Sequence, residues 1–421
     1  MIGREAATGA LVRRLGAFER MYHRNQQKNT LHFCVVAELS DDLDPAALAA
    51  GLRALQDRHP LLNVYVEDHP QTRLGFYRPA IVPPIPVTVV AETGHTWRDV
   101  VAQELTRPFD TSIAPMVRAV LLRSSLSGPA AIIVTVDHVI VDGLSAAYML
   151  RDLFSALNRH KLRALPVPPS QEELLRRVRH AQPAAAPAPK GKPQPAQPQW
   201  LATPSTMRPF DGALPHLSAI CFDEELTRRL VTRARAERTT VHSVLVAAMS
   251  RVIIESGRNE FVRMLTPVDF RGHIGVDDDV CLYFGGTRTA FTREQLTDLW
   301  DMARMVGGQL AGARSVPAVL DASAATEQFI PVDATTEDAQ AFMMAGLSFE
   351  AFASNLRVLN MGTPEGVRPV AIWGPAILAQ VQGELNTGVC TFNGQLRIVC
   401  ASHDPLPDYL DRVRDVIDTA C

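Results

Sequence analysis

The sequence has no CxxC pair: its six cysteines, Cys34, Cys221, Cys281, Cys390, Cys400 and Cys421, stand far apart. Lone cysteines among apolar neighbours act as small hydrophobes, so reduced thiols and no zinc or other metal site are expected. An excess of charge is missing as well. Lys+Arg 42 against Asp+Glu 45 gives a formal charge of −3, too weak a balance to draw the whole chain toward nucleic acid or an anionic membrane. Nor are there long apolar runs; the stretch around Ala130–Val136 falls far short of the roughly 20 residues that cross a bilayer. Arg4, Glu5, Arg13 and Arg14 leave no apolar region for a secretory signal near the start. These absences lead to the expectation of a cytoplasmic protein with no membrane span and no nucleic-acid partner. With hydrophobic residues at 47%, charged residues at 21% and aromatics at 6%, the composition excludes a disordered or collagenous chain.

What is present is enough chain for two or three domains, at roughly 100–200 residues each. Proline totals 30 and is concentrated between Pro183 and Pro215, where AAAPAPKGKPQPAQPQW leads on through Pro204 and Pro209. Repeated proline removes backbone donors and favours extended conformations, so residues 181–215 read as a linker draped on the surface between lobes at 1–180 and 216–421. Proteolysis is expected to nick first between about His180 and Trp200.

Both flanks mix strand and helix signals. Leu31–Leu39, Leu62–Glu67, Pro86–Val90, Val117–Arg123 and Ala130–Val136 read as strands, the last fully buried. Asp44 caps a helix carrying Leu48, Leu52 and Leu55 that ends at Pro60. After the linker come a strand at Leu217–Phe222, an Asp223-capped helix, and a Thr240-capped helix over Val241–Glu255. Strands at Phe261–Thr266 and Val280–Ala290 and a helix from about Glu294 to Leu310 follow. Asn393-Gly394 marks a hairpin, and Asp404 is read as opening the last helix. The fold class is therefore α/β or α+β.

His138, Asp142 and Gly143 form an HxxxDG string directly after the buried strand. HxxxD alone is weak, since about one match is expected by chance in a chain of this length. His95–Asp99, on a predicted amphipathic helix, and His273–Asp277, in an acidic loop, match as well. Only His138 leaves a buried strand and meets a glycine. Such a histidine is fixed by packing where loops form clefts, and its ordinary pKa near 6.5 leaves it mostly neutral and able to accept a proton. A core histidine satisfied by hydrogen bonds is the competing reading, and a metal pair lacks a nearby third ligand.

The string resembles the HxxxDG motif shared by non-ribosomal peptide condensation domains, polyketide-associated acyltransferases, wax-ester synthases, plant alcohol acyltransferases and chloramphenicol acetyltransferase. The similarity extends to Phe18–Tyr22, LDPAALAAGLRALQDRHPLLNVYVE at Leu43–Glu67 and RPFDTSIAPMVRAVLL at Arg107–Leu122. It continues through the helix pair LTRRLVTRARAERTTVHSVLVAAMSRVI and the CTFNGQLRI hairpin with the terminal helix. The resemblance implies two chloramphenicol-acetyltransferase-like lobes in a V-shaped pseudo-dimer, with a central tunnel for acceptor and acyl thioester. It implies that His138 activates the nucleophile and that Asp142 is mainly structural, paired with Arg271 of the Thr266–Arg271 segment, which matches PxDxR. Two departures stand out. Asp137 occupies the place where many members carry a second histidine, and a carboxylate there is expected to raise the His138 pKa. The SNxG-like strand is irregular, with candidates at Ser354-Asn355 and Asn360-Met361-Gly362.

Other residues read as structural or remain open. Gly143-Leu144-Ser145-Ala146-Ala147 lacks the final glycine of a nucleophile elbow, so Ser145 is expected at a helix N-terminus. The basic runs Arg176–His180 and Arg228, Arg229, Arg233, Arg235 read as solvated helix faces, the alternative being contact with a coenzyme A phosphate or an acidic carrier protein.

The expected function is acyl transfer from a thioester, on acyl-CoA or a phosphopantetheinyl carrier protein, to a hydroxyl of a small-molecule acceptor in natural-product or lipid biosynthesis. No acyl-enzyme, no permanently bound cofactor and a monomer are expected. Two alternatives stand beside it: a free-standing condensation domain forming an amide, and a non-catalytic condensation-like module that recruits other enzymes.

Overall fold

The computed structural model describes residues 9–91, 95–123, 129–181, 199–362 and 366–421. The first part of the chain gives β1 (Ala10–Arg14), α1 (Ala17–Gln26), β2 (His32–Leu39), α2 (Pro45–Arg58), β3 (Tyr65–His69), β4 (Arg73–Arg78) and β5 (Val87–Ala91). It continues with α3 (Trp97–Leu105), β6 (Val117–Arg123), β7 (Ala130–Asp137), α4 (Gly143–Leu157), α5 (Gln171–Ala181) and α6 (Gln199–Ala202). Next come β8 (His216–Phe222), α7 (Glu224–Ala236), α8 (Val241–Glu255), β9 (Phe261–Asp269), α9 (Arg271–Ile274) and β10 (Phe284–Thr292). The remainder is α10 (Leu299–Ala313), α11 (Val316–Phe329), α12 (Thr336–Leu347), β11 (Ala351–Val358), β12 (Pro369–Ile377), β13 (Leu385–Phe392), β14 (Gln395–Ser402) and α13 (Tyr409–Ala420).

Two large sheets carry the site. One runs β12-β2-β7-β6-β5 and the other β10-β9-β11-β13-β14-β8, while β1-β4-β3 forms a small separate sheet. Every residue of β7 is buried, because its two faces serve different cores. Ile132, Val134 and Val136 pack with Leu52, Leu55 and Leu150 under α2 and α4. Ala131 and Ile133 face Trp97 and Val101 of α3, together with Val399 and Ala401 of β14. Burying such an isoleucine or valine contributes about 1.5–3 kcal/mol, so β7 is fixed on both sides and its C-terminal end is a rigid place for a functional residue. A separate core under the second sheet joins α7, α8, α10 and α13 through Leu230, Val246, Ile253, Trp300 and Val413.

The caps explain the helix starts. Asp44 accepts from the Ala46 amide with Pro45 in the first turn, Asp223 accepts from the Leu226 amide, and the Thr240 hydroxyl accepts from the Ser243 amide. Asn393 and Gly394 both take positive φ, 50° and 73°, as a two-residue hairpin turn between β13 and β14 requires.

Several boundaries differ from those read in the sequence. Leu62 and Asn63 lie in a short 3-10 turn, and β3 begins only at Tyr65. Residues 280–283 are not strand, since the Cys281 backbone bonds the Ser145 hydroxyl instead of a neighbouring strand. The last helix starts at Tyr409 and not at Asp404, because Pro405 and Pro407 intervene. His95 precedes α3, and Asp99 serves as that helix's capping-box acid, so the two do not share a helix face.

Strand β12 is the chief departure from a simple division of the chain. Although it follows β11 in sequence, it pairs antiparallel with β2, Trp373 opposite Val36 and Ile377 opposite Phe33. Of the linker, residues 182–198 lie outside the described residues. Residues 199–215 are not merely draped: the Trp200 ring sits 4.9 Å from that of Phe261, and Met207 bridges to Val381. The physical reason is the buried Arg263, whose guanidinium is satisfied by Glu350 at 2.6 Å and by the carbonyls of Leu201 and Thr203. Among the described residues, no helix is long and apolar enough to cross a membrane, and all six cysteines are free.

Candidate active site

The chain leaves β7 at Asp137 and turns sharply. The His138 amide donates to the Leu31 carbonyl at 2.9 Å, and the Val139 amide donates to the Asp137 carboxylate at 2.9 Å. Val139, Ile140 and Val141 are fully buried and anchor the turn in the core. Asp142 then caps α4, accepting from the Ser145 amide at 2.8 Å. Gly143 is the first helical residue, and a Cβ on it would come within 3.0 Å of Leu356 Cδ2 in β11. The glycine therefore permits the second sheet to approach the motif closely.

The Asp142 carboxylate is fully used. Oδ2 accepts from Arg271 Nη1 at 2.8 Å and from the Tyr283 amide at 3.0 Å, and Oδ1 accepts from Arg271 Nη2 at 3.0 Å. Arg271 also donates to Asp269 at 3.1 Å and to the Ser145 hydroxyl at 2.8 Å, with the Tyr148 and Tyr283 rings at 5.5 and 5.2 Å. Burial pushes the Asp142 pKa up, but the Arg271 charge and the hydrogen bonds outweigh it and hold the carboxyl below its usual range. The pair lies deep inside, at 3% exposure for Asp142 and 4% for Arg271. Ser145 sits in the first turn of α4 with its hydroxyl bonded to Arg271 and the Cys281 carbonyl, a structural position.

His138 is enclosed by rings: Tyr22 at 4.8 Å, Phe33 at 5.0 Å and Phe284 at 5.5 Å, the last stacked at 19°. Burial lowers its pKa to about 4, against a smaller upward pull from Asp142 and from the backbone around Val141. The expectation that Asp137 would raise it is corrected. The Asp137 carboxylate turns back onto the Val139 amide, and burial drives its own pKa up to about 7. The His138 Nδ1 atom is buried without a hydrogen-bond partner, and the residue lines the cleft.

That cleft, open to solvent, measures about 1210 Å³ and is walled by both sheets. His138, Asp142 and Gly143 reach it from the first sheet's side, and Arg271, Phe284 and Ser354 from the other. One part of its wall is apolar, with Leu265, Phe349 and Val381 packed against Met207, Met344 and Phe352. The structure thus brings His138, Asp142, Gly143 and Arg271 together and directs Asp137 elsewhere. Ser354-Asn355 falls in β11 on the cleft wall. Neither basic run reaches the cleft. Arg177 pairs with Glu173 at 2.5 Å, Arg228 with Glu225 at 2.7 Å, and Arg233 with Glu237 at 2.8 Å, all on exposed helix faces. Sequence reasoning missed the aromatic cage and Asp269. Tyr22 lay within the quoted Phe18–Tyr22 segment and Asp269 within PxDxR, so the resemblance held a signal for both; Phe284 had none.

The fold is the chloramphenicol-acetyltransferase-like fold of condensation domains. Residues 211–400 match the family model described as phthiocerol/phthiodiolone dimycocerosyl transferase C-terminus. The solved structure of polyketide synthase associated protein 5 from Mycobacterium tuberculosis superposes with a TM-score of 0.67 at 18% identity, covering 98% of this chain and 98% of that one. The first condensation domain of the calcium-dependent antibiotic synthetase gives a TM-score of 0.65 at 14% identity, covering 96% of each chain. Tyrocidine synthase 3 of Brevibacillus parabrevis is 23% identical over 260 residues, 57% of this chain and 4% of that protein. The chain therefore spans only a small part of the curated relatives it matches.

Proposed function

We propose that this chain transfers an acyl group from a thioester to an acceptor hydroxyl, with His138 as general base and residues 1–180 and 216–421 as its two lobes, joined by 181–215. The observation that carries the reading is the placement of His138 at a cleft between two sheets, on a turn fastened by the Asp142–Arg271 pair.

At neutral pH the ring is uncharged and able to accept a proton. Nε2 takes the acceptor's proton as the oxygen attacks the thioester carbonyl carbon, forming a tetrahedral oxyanion. Collapse re-forms the carbonyl and breaks the C–S bond, and the imidazolium returns its proton to the departing sulfur. An ester and a free thiol result, with no bond to the protein at any stage. Asp142 and Arg271 act as positioning residues, holding the turn between β7 and α4 in place. The donor is acyl-CoA or an acyl chain on a phosphopantetheinyl carrier protein.

The test is intact-mass detection of acyl transfer, offering loaded carrier protein and acyl-CoA separately to a panel of alcohols and amines. Ester product that depends on His138 supports the proposal. Amide product alone would move it to a condensation domain proper, and no product with any donor would favour a recruitment module.

A further inference from the structure

Where the cleft opens beside Arg271, two more arginines line it, Arg314 and Arg357. Arg357 lies in an irregularity of β11, whose pairing with β13 shifts register between Asn355 and Val358. Its φ is +68°, left-handed for a long side chain, and its amide is held by the Asn355 side chain at 2.7 Å. Such bulges redirect a side chain, and a non-glycine residue held there costs of order 1–3 kcal/mol. The result is a guanidinium at the cleft rim, 64% exposed, touching Asp269 at 3.1 Å. Arg314 caps the C-terminal end of α10, its carbonyl accepting from the His273 ring at 2.7 Å. Its guanidinium has no hydrogen bond or ion pair among the described residues.

The charges do not balance. Asp269 is already shared between Arg271 and Arg357, and Asp142 is committed to Arg271. Three guanidinium groups thus face two carboxylates, leaving one positive charge at the rim. Burial lowers the Arg314 pKa and the charge of Arg357 lowers it further, with Asp269 offsetting only part of this. Paired guanidinium forks match the two unesterified oxygens of a phosphate better than any neutral group.

We propose that Arg314 and Arg357 form an anion site at the cleft rim that binds a phosphate ester on the pantetheine arm of the acyl donor. The inference deepens the acyl-transfer reading, which supplies the donor. Binding is measured without turnover, so the two can fail separately.

The test is calorimetric titration of pantetheine, 4′-phosphopantetheine and coenzyme A into the wild-type protein and an Arg314→Ala/Arg357→Ala variant, with Arg228→Ala as a surface-charge control. Wild type should bind phosphopantetheine at least about tenfold more tightly than pantetheine, as a charge-assisted phosphate contact implies. The double variant should lose that preference and the control should keep it. Tightest binding of coenzyme A, lost in the double variant, places the contact on its nucleotide phosphates; equal binding of phosphopantetheine places it on the 4′-phosphate shared with carrier proteins. Equal affinity for pantetheine and both phosphorylated ligands in wild type, or a preference that survives in the double variant, overturns the proposal. A His138→Ala protein that binds phosphopantetheine normally but transfers nothing keeps the rim site distinct from the chemistry.

Discussion

Arg271 grips Asp142 with both terminal nitrogens, at 2.8 and 3.0 Å, and so joins the start of α4 to a segment 129 residues later. Both groups are almost completely buried, and each would be costly alone. Asp142→Ala leaves a buried guanidinium with Asp269 as its remaining carboxylate among the described residues and removes the α4 cap. It should lower stability by about 3–5 kcal/mol, read by denaturant unfolding, and reduce transfer with it. An unchanged midpoint would show that the pair does not hold the two sheets together.

Replacing His138 with alanine removes the proposed base but leaves the Asp142–Arg271 clamp. Transfer should fall by about 10²–10⁴-fold while circular dichroism stays native. His95, outside the cleft, should tolerate the same change.

Because burial lowers the His138 pKa to about 4, the ring stays neutral well below the pH at which an exposed histidine would charge. Plotted against pH, kcat/KM should therefore lose activity only as the pH falls through about 4, where the ring protonates. An acid limb centred near 6.5 would mean that the ring is solvated in the working enzyme.

Asp137 works in the opposite sense. Its folded pKa is raised to about 7 against 3.8 for the free side chain, so the folded form holds a proton that the unfolded chain has released. Its contribution to stability is fully present below about 4 and is lost as the pH rises to about 7, beyond which it changes no further. Asp137→Asn keeps an acceptor for the Val139 amide without the titration. Its melting temperature relative to wild type should climb between pH 4 and 7 and then level; a constant offset would disprove the buried acid.

Gly388 of β13 lies under β12, where a Cβ would sit 2.0 Å from the Pro375 carbonyl oxygen and 2.7 Å from its nitrogen. Gly388→Ala should cost about 4 kcal/mol or more, the range reserved for direct steric conflict in a core. Hydrogen exchange should accelerate first in β12; uniform exchange would place the conflict elsewhere.

Much of this site is local and could be read from the sequence. A mostly apolar β7, a turn acid and the Asp142 cap declare themselves within fifteen residues. Arg271 could be reached only through a family resemblance, since nothing in its own neighbourhood points to a partner 129 positions away. The rings around His138 were illegible because Tyr22, Phe33 and Phe284 look like any other core aromatics. Strand β12 reads as a strand from PVAIW, yet which sheet it joins depends on the edge of β2, a non-local fact that no periodicity carries. Arg357 was hidden for a related reason: a register shift is a property of two strands together.

The insertion of β12 beside β2 also sets an order of events during synthesis. When a ribosome has released everything through α5, β2 still shows a bare edge of unpaired amides and carbonyls, and its closing strand is almost two hundred residues from being made. The nascent first half must therefore wait, with an adhesive border exposed, until Pro369–Ile377 has been made. A fragment ending near residue 181 should be insoluble for want of that border's partner, and a peptide spanning Pro369–Ile377 supplied in trans is the piece that would quench it.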